Sequence, residues 1–491
     1  MSRPVRPSTA DFDVVVVGAG PGGMAAAVAA AESGARVVVL EALDEIGGNA
    51  IWSTGYLAFS GFDMQDRAGV RDSVERFFED AAAEVARQRE RYGIVWDEVL
   101  TRRFIEGSAD TYRYLRERGV AFNRFIERPT QHTAHRMVDL ADTFSLQRAF
   151  VAAFAECGVE VRHRHRGRRL VVADGIVTGI DVETPDGPSR FHARAVVLAT
   201  GGYQAGIELR RRYQPEHLAT TPYLGVPTCR GDGHVMGQAV GGDLINMTMV
   251  QPLVIVGSAL VEDSIAVNIA GVRFHDEAGP YDDRVAALLA QPHRTAFYVF
   301  DHTTAENKRH LVDQMPGAAV SAPTLAALAE AIDVAPLPLV RTVDGWNALL
   351  RSGAARDPLH GRVVFPADRR GIVDGPFWAS PMLIGVNFPA GGFRTTDTMA
   401  VVDVFGAVVP GLYAAGDTAG GVNPCLGLGG IHISSAFTLG FVAGRAAAAG
   451  DVGTVTPLPA VDEPPPPRGT VRMAIVDVPT PVTSAADHPA G

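Results

Sequence analysis

Residues 13–23 read DVVVVGAGPGG, with glycines at 18, 20 and 23, Ala19, Pro21 and Gly22 between them, and Glu41 closing the later run VVVLE. This spacing suits phosphate chemistry. Gly18 permits a tight turn, Gly20 lets backbone approach a pyrophosphate, and Gly23 lets a helix pack close behind. The first N–H groups of the following alanine-rich run face the phosphates. Glu41, about 20 residues on, is placed to hold ribose hydroxyls. The unit describes a dinucleotide site.

The elements that must position these residues follow from pattern. Four consecutive valines make a strand buried on both faces, as in a parallel sheet covered by helices. MAAAVAAAESG is a helix ending at Gly34, and ARVVVLEA is the second strand. The loop DEIGGNAIWSTGYLAFSG then wraps the remainder of the cofactor. Residues 66–120 predict helices, in which Tyr112 and Tyr114 are packing residues. After the helix SLQRAFVAAFAECG, three alternating runs broken by DG turns predict an antiparallel meander that returns to the main sheet. Alternation puts His163 and His165 on one solvated strand face. AVVLATGG is a buried strand ending at the edge where such folds keep their ligand. From residue 246 to 377 the pattern is irregular and includes the proline-rich VAPLPLV, and the parallel-sheet signature returns at GLYAAGD. The expected fold class is α/β. A Rossmann-like, discontinuous dinucleotide-binding domain spans 10–245 and 378–450, an α+β domain inserted into it spans 246–377, and 451–491 is a disordered tail.

Composition narrows the class. The chain has 491 residues, 47% hydrophobic and 20% charged, with net charge −11. No basic field invites nucleic acid or an anionic membrane. Cys157, Cys229 and Cys425 are far apart and lack CxxC spacing, which argues against a disulfide framework, a zinc site or an iron–sulfur cluster. No apolar run reaches the length of a membrane span, and no leader-like segment opens the chain. The expected location is cytoplasmic, with no metal.

The GGNA loop, VVLATGGY, VVPGLYAAGDTAGG and GLGGIHISSAFTLGFVAG together resemble the flavoprotein subunits of the fumarate reductase/succinate dehydrogenase superfamily. That superfamily includes the 3-ketosteroid dehydrogenases, the branch this chain resembles more closely. The resemblance covers residues 10–450 and implies a discontinuous FAD-binding domain with residues 246–377 as the inserted capping domain, and the active site between cap and isoalloxazine. It places Gly18, Ala19, Gly20, Pro21, Gly22, Gly23 and Glu41 on the ADP half. Gly48, Asn49, Ala50, Thr54 and Gly55 belong to the loop toward the flavin, with Asp232 near the cofactor and Asp417 on the ribityl chain. His432 and Ile433 open a helix whose N-terminus faces the flavin pyrimidine edge, where it would stabilise negative charge. The loop GGNAIWSTGY has no counterpart of the flavin-attaching histidine, so the FAD is expected to be non-covalent.

The catalytic positions separate the branches. GVNFPAGG carries Asn387 where dicarboxylate reductases carry a histidine. GVNPCLGLGG carries Asn423 for another histidine and Gly427 for the arginine that clamps a carboxylate. RFHDEAGPYDD places Tyr281 where the arginine proton donor would be. Asn cannot replace a bidentate Arg on a carboxylate, so di- and tricarboxylates are disfavoured. Tyr281 resembles the tyrosine base of the ketosteroid branch, and Gly430 matches the glycine whose N–H binds the ketone oxygen. The residue expected to help there, a second tyrosine, falls near Leu426.

The expected reaction is FAD-dependent oxidation, or its reverse, of a CH–CH bond beside the carbonyl of an uncharged ketone, a cyclic or steroid-like one included. Tyr281 takes the α-proton while Gly430 N–H, with Asn387 or Asn423, stabilises the oxygen. No second GxGxxG follows a strand, so an external acceptor such as quinone, oxygen or another carrier reoxidises the flavin. Two alternatives stay open. One is a reductase of an α,β-unsaturated acid with Arg273 or Arg394 as clamp; the other is a flavin-binding protein without turnover.

Overall fold

The computed structural model describes residues 10–458 except 90–91, 127, 129–130, 251, 256–259, 261–262, 313–318, 367, 388 and 423–426. β1 (Phe12–Val17) runs into α1 (Pro21–Glu32), and β2 (Val37–Leu40) pairs parallel to β1 with Val14 opposite Val37. Val14, Val15 and Val16 are fully buried, as a strand covered on both faces requires. Two amphipathic helices follow, α2 (Val74–Arg89) and α3 (Glu98–Glu117), then α4 (Phe144–Cys157).

β3 (Glu160–Arg162) joins the edge beyond β2. β4 (Arg166–Ala173), β5 (Ile176–Thr184) and β6 (Gly187–Leu198) form the antiparallel meander, and β6 re-enters the main sheet parallel to β1. His163 and His165 do not share a strand face. They flank a turn between β3 and β4 in which Arg164 adopts φ +57°.

The chain then builds α5 (Asp232–Gln238) and leaves the main sheet. A separate four-stranded antiparallel sheet contains β7 (Ile265–Asn268), β8 (Ala296–Phe300), β9 (Val320–Ala322) and β10 (Phe377–Pro381), in the order β7-β8-β10-β9. One core of this region packs Val285 and Leu288 of α6 (Tyr281–Leu289) with Tyr298 and Phe300 of β8. The other joins Val267 and Val299 to Leu339, Val343, Trp346 and Leu350 of α7 (Pro336–Arg351). The proline-rich run VAPLPLV is therefore the start of a long helix. Pro336 sits in its first turn, where the missing N–H costs nothing.

β11 (Ala400–Val402) and β12 (Val408–Ala414) return to the main sheet, whose order is β11-β12-β6-β1-β2-β3. α8 (Ile431–Ala449) packs on α1 at unusually close range: a side chain at Gly440 would meet the Gly22 carbonyl, and one at Gly444 the Ala26 carbonyl. That approach holds α1 under the sheet with its N-terminus at the carboxyl ends of the parallel strands. Residues 451–458 lie back on this region, with Thr454 N–H donating to Asp397; the rest of the tail lies outside the described residues. Among the described residues no helix is long and apolar enough to cross a membrane.

Candidate functional site

One long cleft opens at the carboxyl ends of β1, β2 and β6. At its first end Gly18, Ala19, Gly20, Pro21 and Gly22 line the wall. Gly23 lies behind it, where a side chain would strike the Gly18 carbonyl, and the Cα of Gly20 faces open space. No side chain among the described residues caps α1, so its first N–H groups remain available to a phosphate. Both oxygens of Glu41 are fastened, one by Ala19 N–H and one by Leu43 N–H, each at 2.8 Å. Burial pushes its pKa up against these bonds. Each oxygen keeps a lone pair for a hydroxyl donor.

Along the middle run Gly48, Asn49, Ala50 and Thr54, with Asp232 and Asp417 opposite. Gly55 is not in the wall. It takes φ +71° against Leu140 and Thr143, which makes it a turn residue. Asn49 is committed to the protein: its Nδ2 donates to Tyr223 Oη at 3.1 Å, and its Oδ1 accepts Val226 N–H at 2.7 Å. The Asp232 carboxylate is gripped bidentately by Arg166, at 2.7 and 3.0 Å. Cys229 also lines this stretch, and burial together with the charge of Asp417 pushes its thiol up to about 12. Such a thiol is inert as a nucleophile.

At the far end α8 begins at Gly430, which takes φ +82°, and no side chain among the described residues caps it. Gly430, His432 and Ile433 all line the cleft. The turn before the helix is held from three sides. Gln131 Oε1 accepts Gly429 N–H at 3.1 Å, His132 Nε2 donates to Gly429 O at 2.9 Å, and Ala58 N–H donates to Gly430 O at 3.0 Å. Burial drives the His432 pKa down to about 3, so a neutral ring sits at this positive helix end.

Tyr281 and Asn387 also line the cleft, as do the apolar Leu253, Val254 and Leu428. Tyr281 is the first residue of α6, after Pro280. The loop before it is anchored by the fully buried Glu277. That carboxylate takes two bonds from Arg273 at 2.8 Å, one from Arg362 at 3.0 Å and one from Ala266 N–H at 3.0 Å. Asn423 lies outside the described residues.

Other polar and titratable residues stand elsewhere. His275, Tyr112 and Tyr114 do not line the cleft. Tyr112 donates to Asp63 at 2.6 Å, and its pKa is pushed up to about 12 by burial and that carboxylate. Arg273 is spent on Glu277 and Asp357, and Arg394 donates to the Thr456 carbonyl. Among the described lining residues Arg166 is the one arginine.

These features fit FAD: a glycine cradle with open space and an uncapped helix at one end, a fastened carboxylate beside it, and a second helix without a side-chain cap among the described residues on the same cleft. Sequence reasoning missed Arg166, His165, Cys229 and the Leu253–Val254 pair as wall residues. Arg166 and Asp232 are 66 residues apart, and nothing local announces their pairing.

Comparison with known proteins agrees. The model of the family described as FAD binding domain matches residues 13–433. The urocanate reductase of Eggerthella lenta is 31% identical over 90% of this chain and 75% of that protein. The structure of the open conformation of a flavocytochrome c3 fumarate reductase superposes with TM-score 0.71 at 28% identity, covering 91% of this chain and 79% of that one. The 3-ketosteroid-Δ4-(5α)-dehydrogenase from Rhodococcus jostii, in complex with 4-androstene-3,17-dione, gives TM-score 0.64 at 25% identity, covering 90% and 98%.

Proposed function

We propose, for a chain that belongs to the FAD binding domain family and is an FAD-dependent oxidoreductase acting on CH–CH bonds, that the substrate is an uncharged, largely apolar ketone. The bond oxidised or reduced lies next to its carbonyl. One observation carries the reading: Tyr281, Asn387 and Gly430 all line the cleft, together with the apolar Leu253, Val254 and Leu428, and the one arginine among its described lining residues is already gripped by Asp232. A carboxylate entering there would lose its water without gaining a cation.

FAD, when bound, supplies the hydride acceptor or donor. Tyr281 Oη takes the α-proton. Gly430 N–H, fixed by the bonds that hold residues 429 and 430, donates to the carbonyl oxygen, and Asn387 Nδ2 assists as charge develops there. Gly18–Gly22 and Glu41 bind the ADP half, with Asp417 and the α8 N-terminus at the flavin half. In this reading residues 246–377 form the cap over the FAD-binding region, FAD is held without a covalent bond, and an external carrier exchanges electrons with it.

The second reading, reduction of an unsaturated acid, is favoured by the 31% identity to a urocanate reductase. The experiment is anaerobic. Oxidised enzyme is mixed with 4-androstene-3,17-dione and with simple cyclic ketones, and reduced enzyme with enones, fumarate and urocanate. Flavin bleaching by ketones, or reoxidation by enones alone, is the expected result. Rapid reoxidation by either acid would replace the ketone reading with the second one.

A further inference from the structure

Tyr281 has a neighbour that its role as a base does not by itself require. Arg284, one helical turn along α6, is 1% exposed, and its guanidinium carbon lies 4.5 Å from the centre of the Tyr281 ring. Its Nε donates to the Gly279 carbonyl at 3.0 Å, while Nη2 has no hydrogen-bond partner among the described residues. No carboxylate among the described residues forms an ion pair with it. A guanidinium stays charged at any working pH, so a buried, unpaired one is costly wherever it sits. Burial is indeed what opposes the charge on Arg284.

We infer that Arg284 is a positioning residue for Tyr281: its stacked cation holds the ring toward the cleft and is the counter-charge that makes the phenolate accessible. The inference rests on the proposal that Tyr281 moves the proton. Its logic is complementary burial. In the resting state no described carboxylate pairs with the cation; when Tyr281 gives up its proton, the negative charge spreads into the ring that the guanidinium covers. Two unfavourable states, a buried cation without a described carboxylate partner and a phenolate, then offset each other in one pair.

The other charges around the ring act less directly. Asp282 is paired with Arg87 at 2.9 Å, and Asp283 is exposed on the first turn of α6. The field of Arg284 also reaches Tyr298, Arg128 and Asp276, and it adds to the burial that lowers the His275 pKa. None of these covers the Tyr281 ring as Arg284 does.

The test reads Tyr281 itself and needs no substrate. Holoprotein is labelled with 3-fluorotyrosine, and the Tyr281 resonance, assigned by its loss in Tyr281→Phe, is titrated by fluorine NMR. The comparison is among the parent, Arg284→Met and Arg284→Lys. Methionine fills a similar volume and removes a costly buried charge, so the fold and the FAD are expected to remain; Arg284→Gln serves if it does not. The acid constant of Tyr281 should fall about tenfold or more in the Met or Gln variant and recover in part with Lys. Equal midpoints in parent and neutral variant would overturn the inference. Ketone-driven flavin bleaching by Tyr281→Phe runs alongside. If that variant keeps the parent rate while the titration still depends on Arg284, the base assignment fails and the coupling stands.

Discussion

The carboxylate of Glu84 occupies the space into which any side chain at Gly427 would have to grow. Glu84 is not loose there. Arg87 holds it through Nε at 2.9 Å and Nη2 at 2.7 Å, Gln88 Nε2 adds a bond at 2.7 Å, and Arg87 Nη1 reaches Asp282 at 2.9 Å. The position that resembles a carboxylate clamp thus has an anion against it, one link from the residue after Tyr281.

Gly427→Ala should therefore cost about 1–2 kcal/mol, the worth of the Glu84 bonds it displaces. Glu84→Ala should cost about as much, and the double variant less than the sum. Chemical denaturation of all four proteins measures this. Full additivity would mean that the two residues do not compete for space.

Purified protein should be yellow and should release all of its flavin as FAD on acid precipitation. The cleft side of the 48–54 loop offers no histidine for attachment, and the nearby Cys229 thiol is held protonated with a pKa of about 12. Flavin that stays with the pellet would show a covalent link.

Tyr281→Phe removes one hydroxyl and keeps the ring under Arg284. FAD content should match the parent, while flavin reduction in single-turnover stopped flow should slow by roughly 10²–10⁴. A rate within a few-fold of the parent would make Tyr281 a bystander.

Acid should weaken the fold through histidine before it protonates the carboxylates. Burial lowers the pKa of His132, His234 and His275 to about 4 and of His432 to about 3. The unfolded chain binds protons at these sites near 6.5. Between 6.5 and 4 it holds more protons than the native state, so stability is present at neutral pH and falls as pH drops through that window. Going from pH 7 to 5 should cost about 1–2 kcal/mol per histidine. Denaturation midpoints at the two values measure it. His132→Gln, which can still donate to the Gly429 carbonyl, should flatten the dependence, and an unchanged slope would exclude His132 from it.

What the sequence by itself determined is local or periodic. β1, α1, β2 and Glu41 lie within 30 residues, and each is announced by apolar period, glycine placement or strand end, so the ADP end of the cleft was legible. So were the helices α2 and α3 and the meander β4–β6, whose alternation reports one covered face. VAPLPLV was misleading because proline is a helix breaker everywhere except the first turn, and only the packing of Leu339, Val343, Trp346 and Leu350 shows where that turn is. His163 and His165 were misassigned because alternation cannot see the left-handed residue between them. The remaining decisions join residues far apart in the chain: Arg166 with Asp232, Glu84 with Gly427, and the α8 N-terminus with Gln131 and His132. Each is a charge or hydrogen-bond match that carries no period. Tertiary packing alone selects it, because burial makes an unmatched polar group costly and a matched one stable.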